Sequence, residues 1–464
     1  MSSVTKHLDD LFNAFAYPLL KPALAKSLAD QFCIGDFNSC SLNQNVMFLG
    51  ALLAVGRIGE YRALVEHTDF SPLSYNDRVT FVDAMFRAFQ KHLCASRNNE
   101  TFVDALLCIT RSLLPSVMYP TQKDAGHTIG SENNKLINLS YASHLAPHIK
   151  GIVFFRQLFM GPGSRKHEFG FRIQQSLASQ GWYVGLLSPH SMQSYATSDV
   201  YDFALIDIAL LNALTPSDDP VIEVLKRIRR SFRKVIIVEP DPWCTEHVPL
   251  LESIMEYIDF VWGFTADWAF LNQTGCKGKA ILFPNVGGFD GLIPERDSLS
   301  DWDNCTFGFV GSIGIANLTR VYWTLESLHR KLPINYIITD PGQDDGKECE
   351  ESLNSYARLL SASHVNINYV TRLDGSQMLT GRTLETISLK RLLLQETLPT
   401  MNSYFVEGEH FLDFSDIEGL STAIEFIRMH PKAAQMIARE GYEYYRQHYS
   451  SRKLVEHFQV MLDS

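Results

Sequence analysis

The sequence lacks any apolar run long enough to cross a bilayer. Its longest early stretch, residues 46–55, is short of a hydrocarbon core and runs into Arg57 and Glu60. No signal-peptide core follows Lys6, Asp9 and Asp10, so a cytoplasmic location is expected. Positive charge is in deficit: the formal net charge is -11, which argues against a broad nucleic-acid face and leaves room only for a local basic pocket. The eight cysteines (Cys33, Cys40, Cys94, Cys108, Cys244, Cys276, Cys305 and Cys349) form no CxxC pair, and none stands with histidines at zinc spacing. Reduced thiols and no structural metal are expected.

What remains is an ordinary globular composition, 45% hydrophobic and 20% charged over 464 residues, more chain than one core usually organises. Residues 1–120 read as an all-α domain. Segments 45–55, 60–66, 76–92 and 101–114 carry apolar residues at three- and four-residue spacing. Leu52, Gly56, Gly59, Tyr61 and Leu64 are similar to one tetratricopeptide-like pair, but a single copy makes no solenoid, and a plain helical bundle is expected. Residues 121–148, rich in Ser, Asn, Gly, His and Lys, read as a linker.

From residue 149 the pattern changes. Short Val/Ile/Leu runs at 151–157, 183–187, 203–210, 235–239, 260–263 and 280–284 alternate with helical stretches at 168–180, 220–231, 248–257 and 266–273. Continuous apolar runs between helices mean strands buried on both faces, as in a doubly wound parallel sheet. A Pro-, Asp- and Glu-rich piece at 287–304 breaks the alternation. It restarts with strands at 306–310, 335–339, 365–369 and 404–407, and helices at 318–331, 350–361, 381–394, 416–430, 432–448 and 451–462. Two α/β domains are expected, at 149–290 and 305–464 with a hinge at 291–304, facing a cleft at the carboxyl ends of their strands. The last helix has the option of crossing back to the first.

Three segments of the first α/β domain carry candidate chemistry. Gly161-Pro162-Gly163-Ser164-Arg165-Lys166-His167-Glu168 follows the first strand and lets backbone amides approach a ligand, although it is neither a dinucleotide GxGxxG nor a Walker loop. His167 and Glu168 at its tip could supply a general base; an exposed His and a helix-start Glu without a catalytic task read equally well. Glu239-Pro240-Asp241-Pro242-Trp243 leaves a buried strand, with Asp241 a candidate base and a proline-stiffened strand exit the plainer reading. Phe283 to Asp290 supplies glycines for a bend between domains.

In the C-terminal half, Phe307-Gly308-Phe309-Val310-Gly311-Ser312 is a strand ending in Gly-Ser, with Arg320 near the start of the next helix. Gly381-Arg382-Thr383-Leu384-Glu385 opens another helix, where free N–H groups and the positive dipole end suit a diphosphate. Arg382 adds a cation there, and Glu385 an acceptor for ribose hydroxyls. The alternative for this pair is an exposed helix-start interaction at (i, i+3).

These residues, with 392–396, Tyr404-Phe405, Gly408-Glu409-His410, Phe414, Leu420 and the terminal helix bearing Arg439, Gly441 and Tyr444, resemble the C-terminal domain of CgeB-like, spore-maturation glycosyltransferases. The resemblance is good from Cys305 onward, extends to residues 151–290 in architecture alone, and omits the helical domain. It implies the GT-B fold, two Rossmann-like domains across a cleft. It also implies a donor site of Gly311, Ser312, Arg320, Gly381, Arg382, Thr383 and Glu385, in which Arg320 and Arg382 bind the diphosphate of a sugar nucleotide and Glu385 its ribose. Related transferases often carry a second Glu eight positions earlier, contacting the sugar; here that position is Gln377. Lys390-Arg391 replaces a small residue, either assisting phosphate or lying on an exposed face.

The expected function is therefore metal-independent, cofactor-free transfer of a sugar from a nucleotide diphosphate to an acceptor of unknown identity. The helical domain would recognise the acceptor, another protein or a second copy. A non-catalytic GT-B-fold scaffold is the reading of a different class, and Gln377 leans toward it. A GT-B epimerase would not need the added helical domain, and no lysine is placed to hold a pyridoxal cofactor, as a phosphorylase-like enzyme would require.

Overall fold

The computed structural model describes residues 22–31, 41–55, 57–71, 108–109, 149–154, 169–187, 200–208, 221–239, 247–263, 279–283, 301–311, 318–338, 349–371 and 379–464, with single residues 73, 78, 112, 211, 289 and 377. The expected linker and most of the expected hinge lie outside them. The chain divides into two compact units. One comprises Met1–His127, Ile313–Ile334 and Thr371–Gln377; the other comprises Thr128–Ser312, Asn335–Val370 and Met378–Ser464.

The described N-terminal residues of the first unit are helical: α1 (Pro22–Gln31), α2 (Leu42–Ala54) and α3 (Ile58–His67). Ser41 and Gln44 close a capping box at the start of α2, satisfying amides that the first turn leaves open. Arg57 ties the bundle together by donating to the Ala29 carbonyl and pairing with Glu60. The expected helices at 76–92 and 101–114 lie almost wholly outside the described residues.

The second unit holds two parallel sheets. The first runs through β1 (Lys150–Phe154), α4 (Phe169–Ser179), β2 (Tyr183–Leu187), β3 (Tyr201–Asp207), α5 (Val221–Ser231), β4 (Phe232–Glu239), α6 (His247–Ile254), β5 (Phe260–Gly263) and β6 (Ala280–Leu282), with strand order β2-β1-β3-β4-β5-β6. The second sheet is built on β7 (Phe307–Gly311), β8 (Ile334–Ile338), β9 (Val365–Asn368), β10 (Leu392–Glu396) and β11 (Leu412–Phe414), in the order β11-β10-β9-β7-β8. Helix α7 (Leu318–His329) belongs to the first unit; the helices that follow in the second unit are α8 (Cys349–Ser361), α9 (Gly381–Ser388), α10 (Ile417–Met429), α11 (Pro431–His448) and α12 (Ser451–Asp463). Counted from its own first strand, the first sheet follows the order 2-1-3-4-5-6 and the second 2-1-3-4-5, so the same winding occurs twice. The expected fold class, two Rossmann-like α/β halves preceded by helices, is the observed one among the described residues.

Burial on both faces explains the unbroken apolar runs. Along β3 and β4, Ala204, Ile206, Val235 and Ile237 pack under α5 and α6. Their alternates Phe203, Leu205, Ile236 and Val238 pack under Ile173 and Leu177 of α4. The same face receives Leu454, Val455, Phe458 and Met461 of α12, so the last helix returns to the first sheet, with Phe458 against Phe203 and Trp262.

Two expected elements are corrected. The single helix at 381–394 is instead α9, a turn at Leu389–Arg391, and strand β10. The expected strand at 404–407 is not one: Pro399–Ser403 is a 3-10 turn and the strand pairing with β10 is Leu412–Phe414. Tyr404 and Phe405 turn inward against Tyr445 and Phe411 instead of joining a ladder.

His457 on α12 packs against Phe283, ring centroids 4.1 Å apart and planes tilted by 43°. Burial, helped by Lys453 and opposed by Glu456, pushes its imidazole down to about 4. The folded chain therefore resists a proton that the unfolded chain accepts near 6.5. Stability from this site is complete above about pH 6.5 and is lost as pH falls toward 4, about 3 kcal/mol in all. Denaturant unfolding of wild type and His457→Gln at pH 7.5 and 4.5 should show the wild type losing about 2–3 kcal/mol more. Parallel losses would refute this account of the docked helix.

Candidate anion site at the carboxyl edge of the second sheet

In doubly wound sheets, ligands bind outside the carboxyl ends of the strands, where the winding reverses. In the second sheet that point lies between β7, ending at Gly311, and β9, ending at Asn368. The Arg382 side chain from the first turn of α9 reaches into it. Its Nη1 donates to Asn368 Oδ1 at 3.4 Å and its guanidinium lies over the Phe309 ring at 4.7 Å. A Cβ added at Gly311 would collide with Arg382 Nη2, so the glycine is what lets the fork cross the strand end.

Arg382 is 8% exposed, its Nε has no hydrogen-bond partner, and no carboxylate among the described residues pairs with it. One long bond to a neutral amide is a poor exchange for the hydration that a guanidinium loses on burial. Around it, Asn368 Nδ2 donates to Thr380 Oγ1, Thr383 Oγ1 and Gln395 Oε1 at 2.8, 3.1 and 2.9 Å. Thr383 Oγ1 in turn donates to Gln395 Oε1. This buried network fixes the start of α9 to the ends of β9 and β10. Because Thr380 spends its hydroxyl there, it leaves the first N–H groups of α9 uncapped by a side chain.

Glu385 is buried and doubly engaged. Arg172 Nη1 of α4 donates to its Oε1 at 2.6 Å and Tyr356 Oη of α8 donates to its Oε2 at 3.0 Å. Arg172 also lies over the Phe289 ring at 4.7 Å. Burial first, then the Glu385 carboxylate, push Tyr356 well above the usual phenol range and keep it a donor. A Cβ at Gly381 would stand 3.2 Å from Glu385 Oε1, so the glycine makes room for a carboxylate folded back toward the helix start.

The expected site residues thus divide. Gly311, Gly381, Arg382, Thr383 and Glu385 come together, with Thr383 acting as internal support through its hydroxyl. Arg320 lies buried on α7, where its carbonyl accepts from Thr324 Oγ1. Gln377 Nε2 donates to Thr371 Oγ1. Ser312, His167, Glu168 and Asp241 lie outside the described residues. Lys390 and Arg391 sit at the amino end of β10, the far end of α9, where Lys390 covers the Tyr442 ring and Arg391 Nε donates to the Ser361 carbonyl. They hold a turn rather than a phosphate. Sequence reasoning missed Arg172, Tyr356, Asn368 and Gln395. For the last two a signal existed: polar side chains inside the otherwise apolar strands β9 and β10.

Residues 320–459 match the glycosyl transferase-like family model. No curated protein sequence matches the chain. Among solved structures it is similar to sucrose-phosphate synthase from Thermosynechococcus elongatus, with TM-score 0.47 and 11% identity over 68% of this chain and 98% of that one. It is similar too to Anabaena HepE in complex with UDP-glucose, at 0.46 and 10% over 68% and 98%, and to a glycosyltransferase from Rickettsia africae, at 0.43 and 10% over the same shares. The family match takes in β8 to β11 and the start of α9 with Arg382 and Glu385, while β7 with Gly311, and Arg172, lie before it. No helix among the described residues is long and apolar enough to cross a membrane.

Gly311→Ala should displace Arg382 rather than unfold the chain, because the obstructed atom is the end of a flexible side chain. Urea unfolding should change by less than about 1 kcal/mol, while calorimetric affinity for inorganic pyrophosphate falls at least about tenfold, the worth of one charged hydrogen bond. Unchanged affinity would mean that anions do not bind at this strand end.

Proposed function

We propose that this chain is a metal-independent, nucleotide-sugar glycosyltransferase of the GT-B type, CgeB-like in its C-terminal domain, whose donor diphosphate sits at the start of α9. The observation that carries the reading is the buried, uncompensated guanidinium of Arg382. Arg382 is buried and no carboxylate among the described residues pairs with it, a deficit that an anionic ligand corrects.

The chemistry follows from this placement. Charge builds on the departing diphosphate as the sugar–oxygen bond breaks. A planar fork of N–H donors with the free amides of a helix start is arranged to stabilise it. Glu385 keeps unused lone pairs for ribose hydroxyls, since each oxygen has accepted one hydrogen bond. Arg320 is the second diphosphate ligand that the CgeB-like resemblance supplies. His167, Glu168 and Asp241 are the candidates for a base, needed only if configuration inverts. The acceptor would be an alcohol or amide group, recognised with help from the helical segment, and the reaction would be cytoplasmic.

Steady-state kinetics with the sugar nucleotide selected from a panel of UDP, GDP, CDP and ADP sugars test this. Arg382→Ala should lower kcat/KM by about 10²–10³, the cost of removing one such donor, through kcat. Its melting temperature should stay near wild type, because the residue removed was a poorly paired buried charge. Glu385→Ala should behave differently, costing about 3–5 kcal/mol of stability by stranding Arg172 and weakening nucleotide binding more than turnover. Near-normal turnover in folded Arg382→Ala would move the donor site elsewhere. Thermal stabilisation by a nucleoside diphosphate without hydrolysis or transfer of any sugar would instead favour the scaffold reading to which Gln377 points.

A further inference from the structure

Arg382 and Glu385 stand three residues apart on α9, the spacing at which opposite charges on a helix ordinarily pair. They do not pair here. Glu385 is taken by Arg172, 213 residues upstream, and by Tyr356, while Arg382 is left with Asn368 at 3.4 Å and a bare Nε.

From this we infer that Arg172 is a positioning residue for the donor site: by holding Glu385, it keeps the neighbouring Arg382 from being neutralised and so keeps it open to an anion. The inference rests on the proposed diphosphate site and names what makes that site available. Arg172 suits the task. Its side chain is 2% exposed, and its guanidinium is fixed between the Phe289 ring and Glu385 Oε1, so it cannot swing to solvent. Tyr356 holds the other oxygen but carries no charge, and cannot replace the cation. Without Arg172, the nearest uncompensated cation for a buried carboxylate on this helix is Arg382. An ion pair between them would occupy the fork that a phosphate needs. Arg172 comes from the helix after the first strand of the first sheet, so the second sheet's anion site depends on a residue of the first.

Calorimetric titration of the full chain with inorganic pyrophosphate tests this, because that probe has no ribose to contact Glu385 directly. Arg172→Gln should bind at least about tenfold more weakly, in line with the coupling energies of close buried charge pairs. Glu385→Gln should bind more tightly than wild type, since it removes the competitor, and Arg172→Gln/Glu385→Gln should regain most of the loss. A purely structural triad would make both single variants weaker alike, and that outcome would overturn the inference. So would wild-type affinity in Arg172→Gln while Arg382→Ala abolishes binding, a result that leaves the anion site itself standing. Unchanged affinity in Arg382→Ala would instead remove the site, and the inference with it. If Arg172→Gln fails to fold, Arg172→Lys, which keeps the charge but not the stacked fork, should bind more weakly than wild type and Arg172→Lys/Glu385→Gln should regain the loss; no loss, or a loss left unrepaired, would overturn the proposal equally.

Discussion

The carboxyl edge of the second sheet depends on where one buried carboxylate goes. Glu385 has an (i, i+3) cation beside it on its own helix and takes a distant one instead. Burying an ion pair costs more desolvation than weak geometry repays, so the partner with the better geometry and the drier site prevails. Arg172, stacked on Phe289 and 2.6 Å from the carboxylate, is that partner. Its success is what leaves Arg382 a surplus charge, and a surplus charge in a dry place is a binding preference for anions.

The backbone puts that surplus at the carboxyl ends of the strands. The winding reverses between β7 and β9, and Gly311 leaves room there for the Arg382 fork. Asn368, Thr380, Thr383 and Gln395 then hold the helix start rigidly enough for a planar fork to keep its aim. A buried polar network of this kind specifies geometry more than it adds stability, because apolar side chains of similar size would pack there at lower cost. The first sheet has the same winding but a different edge. There Asp207 and Glu239 lie buried at the ends of β3 and β4.

The strands were legible because burial on both faces leaves unbroken Val/Ile/Leu runs, as in β3 and β4. Two helix ends were not, for one reason. The turns after α7 and α9 place Lys331 and Lys390 in the left-handed region, φ 55° and 57°, without a glycine to mark them. After α4 the same job falls to Gly181, and that boundary reads clearly in the sequence. Past Lys390 the run Leu392–Gln395 continues a helical pattern as readily as a strand, so α9 and β10 merged into one expected helix. Within the site, Arg382 and Glu385 were visible through their motif. Arg172 was not: its role arises from a contact across 213 residues that no local spacing encodes.

The same contact weighs the two classes of function. A scaffold needs its fold and its outer surface, and has no use for a buried cation left underpaired beside Phe309 and Asn368. An anion-binding protein needs that cation at equilibrium. A transferase needs it more, because its donor gains negative charge during the reaction, and a contact that is weak before a ligand arrives has the most to gain as that charge develops. Arg382, with one 3.4 Å bond and an idle Nε, is poised in that sense. The geometry therefore fits stabilisation of a leaving group better than it fits static display of a surface.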